Sequence, residues 1–360
     1  MSVKNVLVIG LFEPIGGLEK TTIDLCLKAE KERDTNFIFL IPDGCRELEK
    51  YIRRNNLKSI TIISWKKNMI KYCLNLFRII KLYKVDGIYY NMTSAGNILP
   101  IIIARILKIN KIVLHSHNSG AKHGALKRTI CGINKVFFCL ASDLLACSEE
   151  SGSWLYGKKR NFKIVQNPIN VREFVFSKTA RREIRSKYGI YDEDLLLGCV
   201  GRFSVEKNQS FLLHVLRNLP ETSKIKIIMI GPGDKVKIAL EAQKLKVNNM
   251  VIFEEYKENI GEYMSALDAL LAPSLKEGFG NAVIEAQING APVLASTGFP
   301  DGVKKGDNIK FIPLKNTKEW EGEILRLKPR NIDEKTDNVV PTLLMDDIKR
   351  TTEIFTSIWA

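Results

Sequence analysis

The chain has 360 residues, 45% of them hydrophobic, and a formal net charge of +15. That length exceeds what one core fills, so two globular domains are expected. No apolar run reaches the roughly 18 residues of a membrane span. The N-terminal "MSVKNVLVIGLF" has no small-residue cleavage site and reads as the first buried strand of a cytoplasmic protein. Residues 1–170 hold 27 Lys+Arg against 13 Asp+Glu, whereas residues 171–360 hold 28 against 27. An anionic partner therefore belongs to the first half. Seven cysteines (Cys26, Cys45, Cys73, Cys131, Cys139, Cys147, Cys199) include no C-x-x-C pair. They read as reduced thiols, which argues against a zinc or disulfide framework.

In chain order the first half alternates apolar runs with amphipathic stretches. "NVLVIGLF", "NFIFLIP", "LKSITII", "GIYYNM", "KIVLHSHN", "LLACS" and "FKIVQNP" read as strands, and "LEKTTIDLCLKAEKE", the basic segment 65–84 and "GNILPIIIARILKI" as helices. The second half repeats the scheme with "LLLGCVGRF", "FLLHVLRNL", "KIKIIMIGPG", "MVIFEEY", "ALDALLAPS" and "PVLAS". Strands alternating with helices predict parallel sheets covered on both faces. The fold class is α/β, with a first doubly wound domain over 1–170 and a second over 171–341. The boundary falls near "NPINVREFVFSKTARREIRSKYG"; an irregular stretch at 328–341 precedes a terminal helix, about 342–360, that is a candidate to pack back on the first domain.

Ligands of doubly wound sheets sit beyond the carboxyl ends of the strands. The loop "FEPIGGLEK" opens a helix with Gly16 and Gly17, whose bare backbone and helical N–H groups suit an anion, although a tight turn explains them equally well. The loop is neither G-x-G-x-x-G nor a Walker sequence, which weakens a dinucleotide oxidoreductase or an ATPase. His115 and His117 in "IVLHSHN" point to one face of a ligand-bearing edge. Arg202 and Lys207 in "GCVGRFSVEKNQ" join a planar fork to a point charge and suit a diphosphate, and solvated surface cations are the alternative. In "LLAPSLKEGFGNAVIEAQ", Asn281 is the expected N-cap of a helix, with Gly278 and Gly280 before it. Glu277 and Glu285 border one pocket at that N-terminus. A carboxylate accepts hydrogen bonds from adjacent sugar hydroxyls, so two carboxylates with a diphosphate between them describe a nucleotide sugar. A glycoside hydrolase would use two carboxylates but has no need of Arg202 and Lys207. Asp192-Glu193-Asp194, a possible metal motif, reads as solvated surface.

These residues resemble the retaining glycosyltransferases of family 4, over about residues 1–325. The E-x7-E spacing of Glu277 and Glu285, "PVLAS" after it, "VGRFSVEKN", "IGGLEK" and "KIVQNPIN" occur in the family's order. The resemblance implies a GT-B fold, two Rossmann-like domains with a cleft between them. It implies that Arg202 and Lys207 bind the donor diphosphate, Glu277 the hexose and Glu285 the ribose. The backbone from Gly278 through Phe279 and Gly280 to Asn281 would support the donor, Gly16 and Gly17 would close on the diphosphate, and His117 would sit by the reacting sugar, with His115 a weaker candidate. It implies transfer with retention and without a metal or other cofactor, the leaving diphosphate helping to deprotonate the acceptor. Where the family usually has glycine, this chain reads Glu254-Glu255-Tyr256, which leaves the bound base open.

Segment 65–84 contains no acid. At 100° per residue, Lys67, Lys71, Arg78 and Lys81 cluster on one side and Met69, Leu76, Ile79, Ile80 and Tyr83 lie opposite. With Trp65 and the basic first half, the segment is expected to rest on anionic lipid headgroups, although a surface helix with an ordinary core face fits the same pattern. The expected function is hexose transfer from a nucleotide-diphosphate sugar, a UDP-sugar by expectation, to a lipid-diphosphate-linked saccharide in surface polysaccharide or capsule biosynthesis, peripherally on the inner face of the membrane. The alternatives are a nucleotide-sugar hydrolase or epimerase on the same fold, and a non-enzymatic basic nucleic-acid binder, for which no binding signature is present.

Overall fold

The computed structural model of the protein describes residues 4–120, 125–220, 224–331 and 340–359. Most of the irregular stretch expected at 328–341 lies outside the described residues. The chain divides into two units, Met1–Pro168 with Ile348–Ala360, and Ile169–Asp347. The first contains β1 (Lys4–Ile9), α1 (Gly17–Glu32), β2 (Thr35–Pro42), α2 (Arg46–Arg54), β3 (Lys58–Ile62), α3 (Met69–Leu82), β4 (Gly87–Met92), α4 (Leu99–Ile106), β5 (Lys111–Ser116), α5 (Ala125–Asn134), β6 (Asp143–Ala146), α6 (Glu149–Tyr156) and β7 (Lys163–Ile164). The second contains α7 (Lys178–Lys187), β8 (Leu195–Val200), α8 (Gln209–Arg217), β9 (Ile225–Ile230), α9 (Lys235–Lys244), β10 (Val251–Glu254), α10 (Ile260–Ala266), β11 (Ala269–Ala272), α11 (Asn281–Asn289), β12 (Val293–Ser296), β13 (Ile309–Ile312) and α12 (Lys318–Arg326), followed by α13 (Val340–Ile358).

All strand pairings are parallel among the described residues, in the orders β3-β2-β1-β4-β5-β6-β7 and β10-β9-β8-β11-β12-β13. Each sheet is doubly wound, as the alternation of elements predicts. The side-chain period of two sorts β1 between two cores. Leu7 and Ile9 pack on one face with Tyr72, Leu76 and Ile80 of α3 and Ile101 of α4. Val6 and Val8 pack on the other with Ile23 of α1, Ile52 of α2, and Phe355 and Ile358 of α13. Full burial of such side chains contributes about 1.5–3 kcal/mol each. The last turns of α13 complete this core, with the Phe355 ring 5.0 Å from Tyr89 and the Trp359 ring 5.6 Å from Phe37.

Helix α3 starts at Met69, so Trp65–Lys67 precede it. Its core face is Tyr72, Leu76 and Ile80, while Met69, expected opposite the cations, is exposed, as are Ile70, Leu74, Phe77 and Leu82. The solvent side therefore mixes large apolar side chains with Lys71, Arg78 and Lys81.

The second unit is pinned at the amino-terminal edge of its sheet. Fully buried Asp268 accepts hydrogen bonds from Arg181 at 2.6 Å and Arg185 at 2.9 Å, and from the backbone N–H groups of Leu196 at 2.7 Å and Arg330 at 2.9 Å. Arg181 and Arg185 also cap carbonyls of residues 265–267, 191 and 194. The site loops leave the opposite edge, so this cluster fixes the sheet without entering the chemistry. Removing one partner of a buried pair strands the other charge, at about 3–5 kcal/mol. Asp268→Ala is expected to lower stability by that order, read as an earlier urea unfolding midpoint with faster hydrogen exchange in β8 and β11. An unchanged midpoint would remove the cluster's anchoring role.

Candidate active site

The strand order of the second sheet reverses between β8 and β11, and ligands of doubly wound sheets bind outside the carboxyl ends at such a switch point. The loops leaving β8 and β11 are joined there. Leu275 N–H donates to the Glu206 carbonyl at 2.7 Å, and the Asn208 amide to the Pro273 carbonyl at 3.1 Å. Lys207 Nζ lies 2.7 Å from Glu277 Oε1, with the two side chains 28% and 13% exposed. At that burial the pair is less screened than a surface salt bridge. Glu277 N–H in turn donates to the Gly298 carbonyl at 3.0 Å, which ties in the loop after β12. The concavity over this junction is lined by Cys199, Lys207, Ser274, Gly280, Ala282 and Phe299. Burial pushes the Cys199 thiol up to about 12, which keeps it protonated and disqualifies it as a nucleophile.

Helix α11 starts at Asn281, and its N-cap is Gly280 rather than Asn281. Gly280 has φ +97°, and a β-carbon there would lie 2.7 Å from the Phe299 ring. Glycine alone meets both conditions, and it aims the positive end of the helix at the loop that carries Glu277. Gly278 and Phe279 are buried, Asn281 and Glu285 are half-buried, and Arg202 is exposed. The Gln209 amide holds the Arg202 carbonyl at 2.8 Å, fixing the backbone from which the guanidinium extends. The structure thus gathers Lys207, Glu277 and Gly280 at one junction, with Arg202 and Glu285 on its flanking loop and helix. Asn208 was not singled out in the sequence. Its φ of 55° is a conformation that asparagine tolerates, and it occupies the N-cap position of α8 while its side-chain amide, rather than bonding the helix, spans the two loops.

The acidic pair at the end of β10 is engaged locally. Glu254 accepts from Tyr188 and pairs with Lys257 at 2.6 Å, and Glu255 pairs with Lys235. Asp194 accepts from Tyr191 N–H, and Glu193 pairs with Lys224 at 3.3 Å, which places that acidic run in surface contacts. No group of three or more His, Cys, Asp or Glu among the described residues could hold a metal ion.

In the first unit the reversal lies between β1 and β4. Gly16 is the N-cap of α1, with Gly17 as its first residue, so the pair opens a helix as read. The Gly16 N–H, however, donates to Glu19 at 2.9 Å, and the same carboxylate accepts from Phe12 N–H at 3.3 Å. The loop's own glutamate takes donors that the sequence reading left for an anion. The carboxylate three residues after the cap was the available signal.

The two histidines separate. His115 is fully buried, with Nδ1 2.7 Å from the Tyr89 hydroxyl and Nε2 3.1 Å from the Val165 carbonyl. It is a satisfied core histidine, which corrects the reading that both rings face a ligand. The next residue but one, His117, is half-buried beyond the end of β5, with its ring 4.0 Å from that of His115 and Nε2 2.8 Å from Asn91 Oδ1. Burial holds the His115 pKa down to about 3, and burial together with His115 holds His117 well below its usual value. An unfolded histidine titrates near 6.5, so below that pH only the unfolded chain takes up the proton. The stability from a neutral His115 is complete above pH ~6.5 and is lost as pH falls toward 3, by up to about 1.4 kcal/mol per unit. Urea midpoints are expected to drop more between pH 6.5 and 4.5 for the wild type than for His115→Gln. Parallel pH profiles would show that the ring does not stay neutral.

Residues 180–336 match the family model described as glycosyl transferases group 1. EpsF of Bacillus subtilis (strain 168), which carries a glycosyltransferase name, is 25% identical over 81% of this chain and 78% of its own length. The alpha-monoglucosyldiacylglycerol synthase of Streptococcus pneumoniae (strain ATCC BAA-255 / R6) is 25% identical over 75% of this chain and 66% of its own. The crystal structure of Anabaena HepE in complex with UDP-glucose superposes with a TM-score of 0.79 at 18% identity, covering 98% of this chain and 97% of that one. The chain therefore has the GT-B fold, and its second unit contains a glycosyl transferases group 1 domain.

Proposed function

We propose that the protein transfers a hexose, with retention, from a UDP-sugar to a lipid-diphosphate-linked saccharide during surface polysaccharide or capsule assembly, without a metal ion. The observation that carries this reading is the Lys207–Glu277 pair at the switch point of the second sheet, beside the Gly280-capped helix. An ammonium has three donors, so Lys207 can keep Glu277 and still meet a diphosphate oxygen, while the remaining acceptor capacity of Glu277 takes sugar hydroxyls. Arg202 adds a planar fork for the same phosphates, and Glu285 is assigned to the ribose. The backbone from Gly278 through Phe279 and Gly280 to Asn281 supports the donor. Gly17 and His117 keep the donor-side assignment that the resemblance implies, and Gly16, whose N–H is held by Glu19, offers only its bare Cα. Fixed cations of this kind stabilise charge that develops on the leaving diphosphate. The UDP-glucose bound by HepE and the lipid product named for the pneumococcal relative favour a UDP donor and a lipid-associated acceptor.

The solvent side of α3 favours work at an anionic bilayer. Ile70, Leu74, Phe77 and Leu82 stand among Lys71, Arg78 and Lys81, and Lys81 lies 4.6 Å over the Phe77 ring. Such a face can seat apolar tips among acyl chains and cations among headgroups. No helix among the described residues is long and apolar enough to cross a membrane. The proposed location is peripheral, on the cytoplasmic face.

Arg202→Ala, Lys207→Ala and Glu277→Ala are each expected to cut transfer by about 100-fold or more with the fold intact. UDP or a UDP-sugar should raise the melting temperature equally with and without EDTA, and the two cation variants should lose that shift. Near-wild-type transfer in all three variants would overturn the site. Free sugar or isomerised donor formed without acceptor would favour a hydrolase or epimerase, and a nucleic-acid shift without nucleotide binding would favour the non-enzymatic alternative. For the membrane, Lys71→Glu/Arg78→Glu should reduce co-sedimentation with phosphatidylglycerol vesicles while UDP binding is retained. Unchanged sedimentation would remove α3 from the contact.

A further inference from the structure

A chain of hydrogen bonds in the first unit begins at a backbone carbonyl and ends at the ring of His117. The Ile9 carbonyl, at the end of β1, can only accept, and the Asn91 side chain lies 3.3 Å from it through Nδ2. The amide nitrogen must therefore face Ile9, which leaves Asn91 Oδ1 as an acceptor on the other side. Two groups meet that oxygen, the Thr22 hydroxyl of α1 at 3.1 Å and His117 Nε2 at 2.8 Å. An amide oxygen cannot donate, so Nε2 must carry the proton. His117 Nδ1 then holds the lone pair, and this buried atom has no hydrogen-bond partner among the described residues. Asn91 is 2% exposed and Thr22 fully buried, so bulk water does not compete for these contacts. The backbone is fixed as well. Gly10 has φ +97°, and a β-carbon there would lie 2.0 Å from the Asn91 carbonyl oxygen.

We infer that Asn91, oriented by the Ile9 carbonyl and by Thr22, is a positioning residue that locks His117 as the Nε2–H tautomer and so presents its Nδ1 as a hydrogen-bond acceptor. The neighbouring ring is set by the same logic from a separate carbonyl. Val165 C=O accepts from the Nε2–H of His115, whose Nδ1 accepts from Tyr89. Both rings, kept neutral by burial, are thus held in one tautomer, and neither relies on a carboxylate to fix it. The functional weight of the inference rests on the proposed placement of His117 at the donor. An acceptor nitrogen there accepts a hydrogen bond from a sugar hydroxyl, whereas the other tautomer would turn an N–H toward it.

The test uses the full-length protein with 15N-labelled histidine. The sequence has four histidines, His115, His117, His123 and His214, and the His117 signals are assigned by their loss in His117→Gln. Two-bond proton–nitrogen correlation spectra are expected to show a protonated Nε2 and an unprotonated Nδ1 at His117 in the wild type. In Asn91→Leu the two nitrogen shifts should converge as the tautomers mix, whereas Asn91→Asp, which keeps an oxygen facing the ring, should keep Nε2 protonated. A wild-type Nδ1–H tautomer, averaged shifts in the wild type, or an unchanged tautomer in folded Asn91→Leu would each overturn the inference. Transfer assays separate this outcome from failure of the functional reading. Asn91→Leu and His117→Ala should lower transfer by similar factors, and the double variant should lose no more than either. Multiplicative losses would show that Asn91 acts independently of the ring. Full activity of His117→Ala alongside the expected spectra would leave the tautomer lock standing and remove His117 from the donor site.

Discussion

Parallel strands impose the constraint on which both units depend. A parallel pair cannot be closed by a hairpin, so each strand is followed by a crossover, and crossovers of one hand carry the chain outward from β1 and then back past it. Both sheets consequently reverse order once, and every strand ends on the same edge. The loops at those reversals are brought together by topology although long stretches of chain separate them. In the second unit this joins Lys207 to Glu277, and in the first it joins Thr22, Asn91 and His117.

The two edges of the second sheet divide the labour between stability and chemistry. At the amino-terminal edge, Asp268 is buried among Arg181, Arg185 and backbone donors, every bond made within the protein. At the carboxyl edge, Lys207 and Glu277 remain partly exposed, and the backbone around them is held by Asn208, Gly298 and Gly280. Rigid loops with half-exposed charged tips suit a binding site, because the ordering cost is met in folding rather than on ligand arrival. The first unit follows the same rule, since the Glu19 carboxylate holds the glycine loop and Asn91 holds His117.

Much of the architecture was legible. The alternation of apolar runs and amphipathic stretches predicted two doubly wound sheets, because burial on both faces demands continuous apolar strands. The E-x7-E spacing placed Glu277 in a loop and Glu285 on a helix, and the helix begins within one residue of the expected position. Three features were misread. His115 and His117 share a face, but how deeply each lies is set by Tyr89 and Val165, far away in sequence. Asn281 has the composition of an N-cap, yet the left-handed turn at Gly280 takes that place. Met69 falls on the apolar side of a helical projection, but α3 starts there and its core face begins at Tyr72.

The fold class, the glycine-rich loops and the excess of cations in the first half are readable from the chain alone. Those depend on local periodicity, on backbone freedom and on charge count, each carried by neighbouring residues. Which charges pair, which histidine is satisfied and which tautomer His117 holds follow from contacts made in the folded chain. A hydrogen bond or ion pair depends on two groups meeting within about 3 Å. The partners here, Lys207 with Glu277 and Ile9 and Thr22 with Asn91 and His117, come from strands and helices that are adjacent in the sheets and distant in the chain.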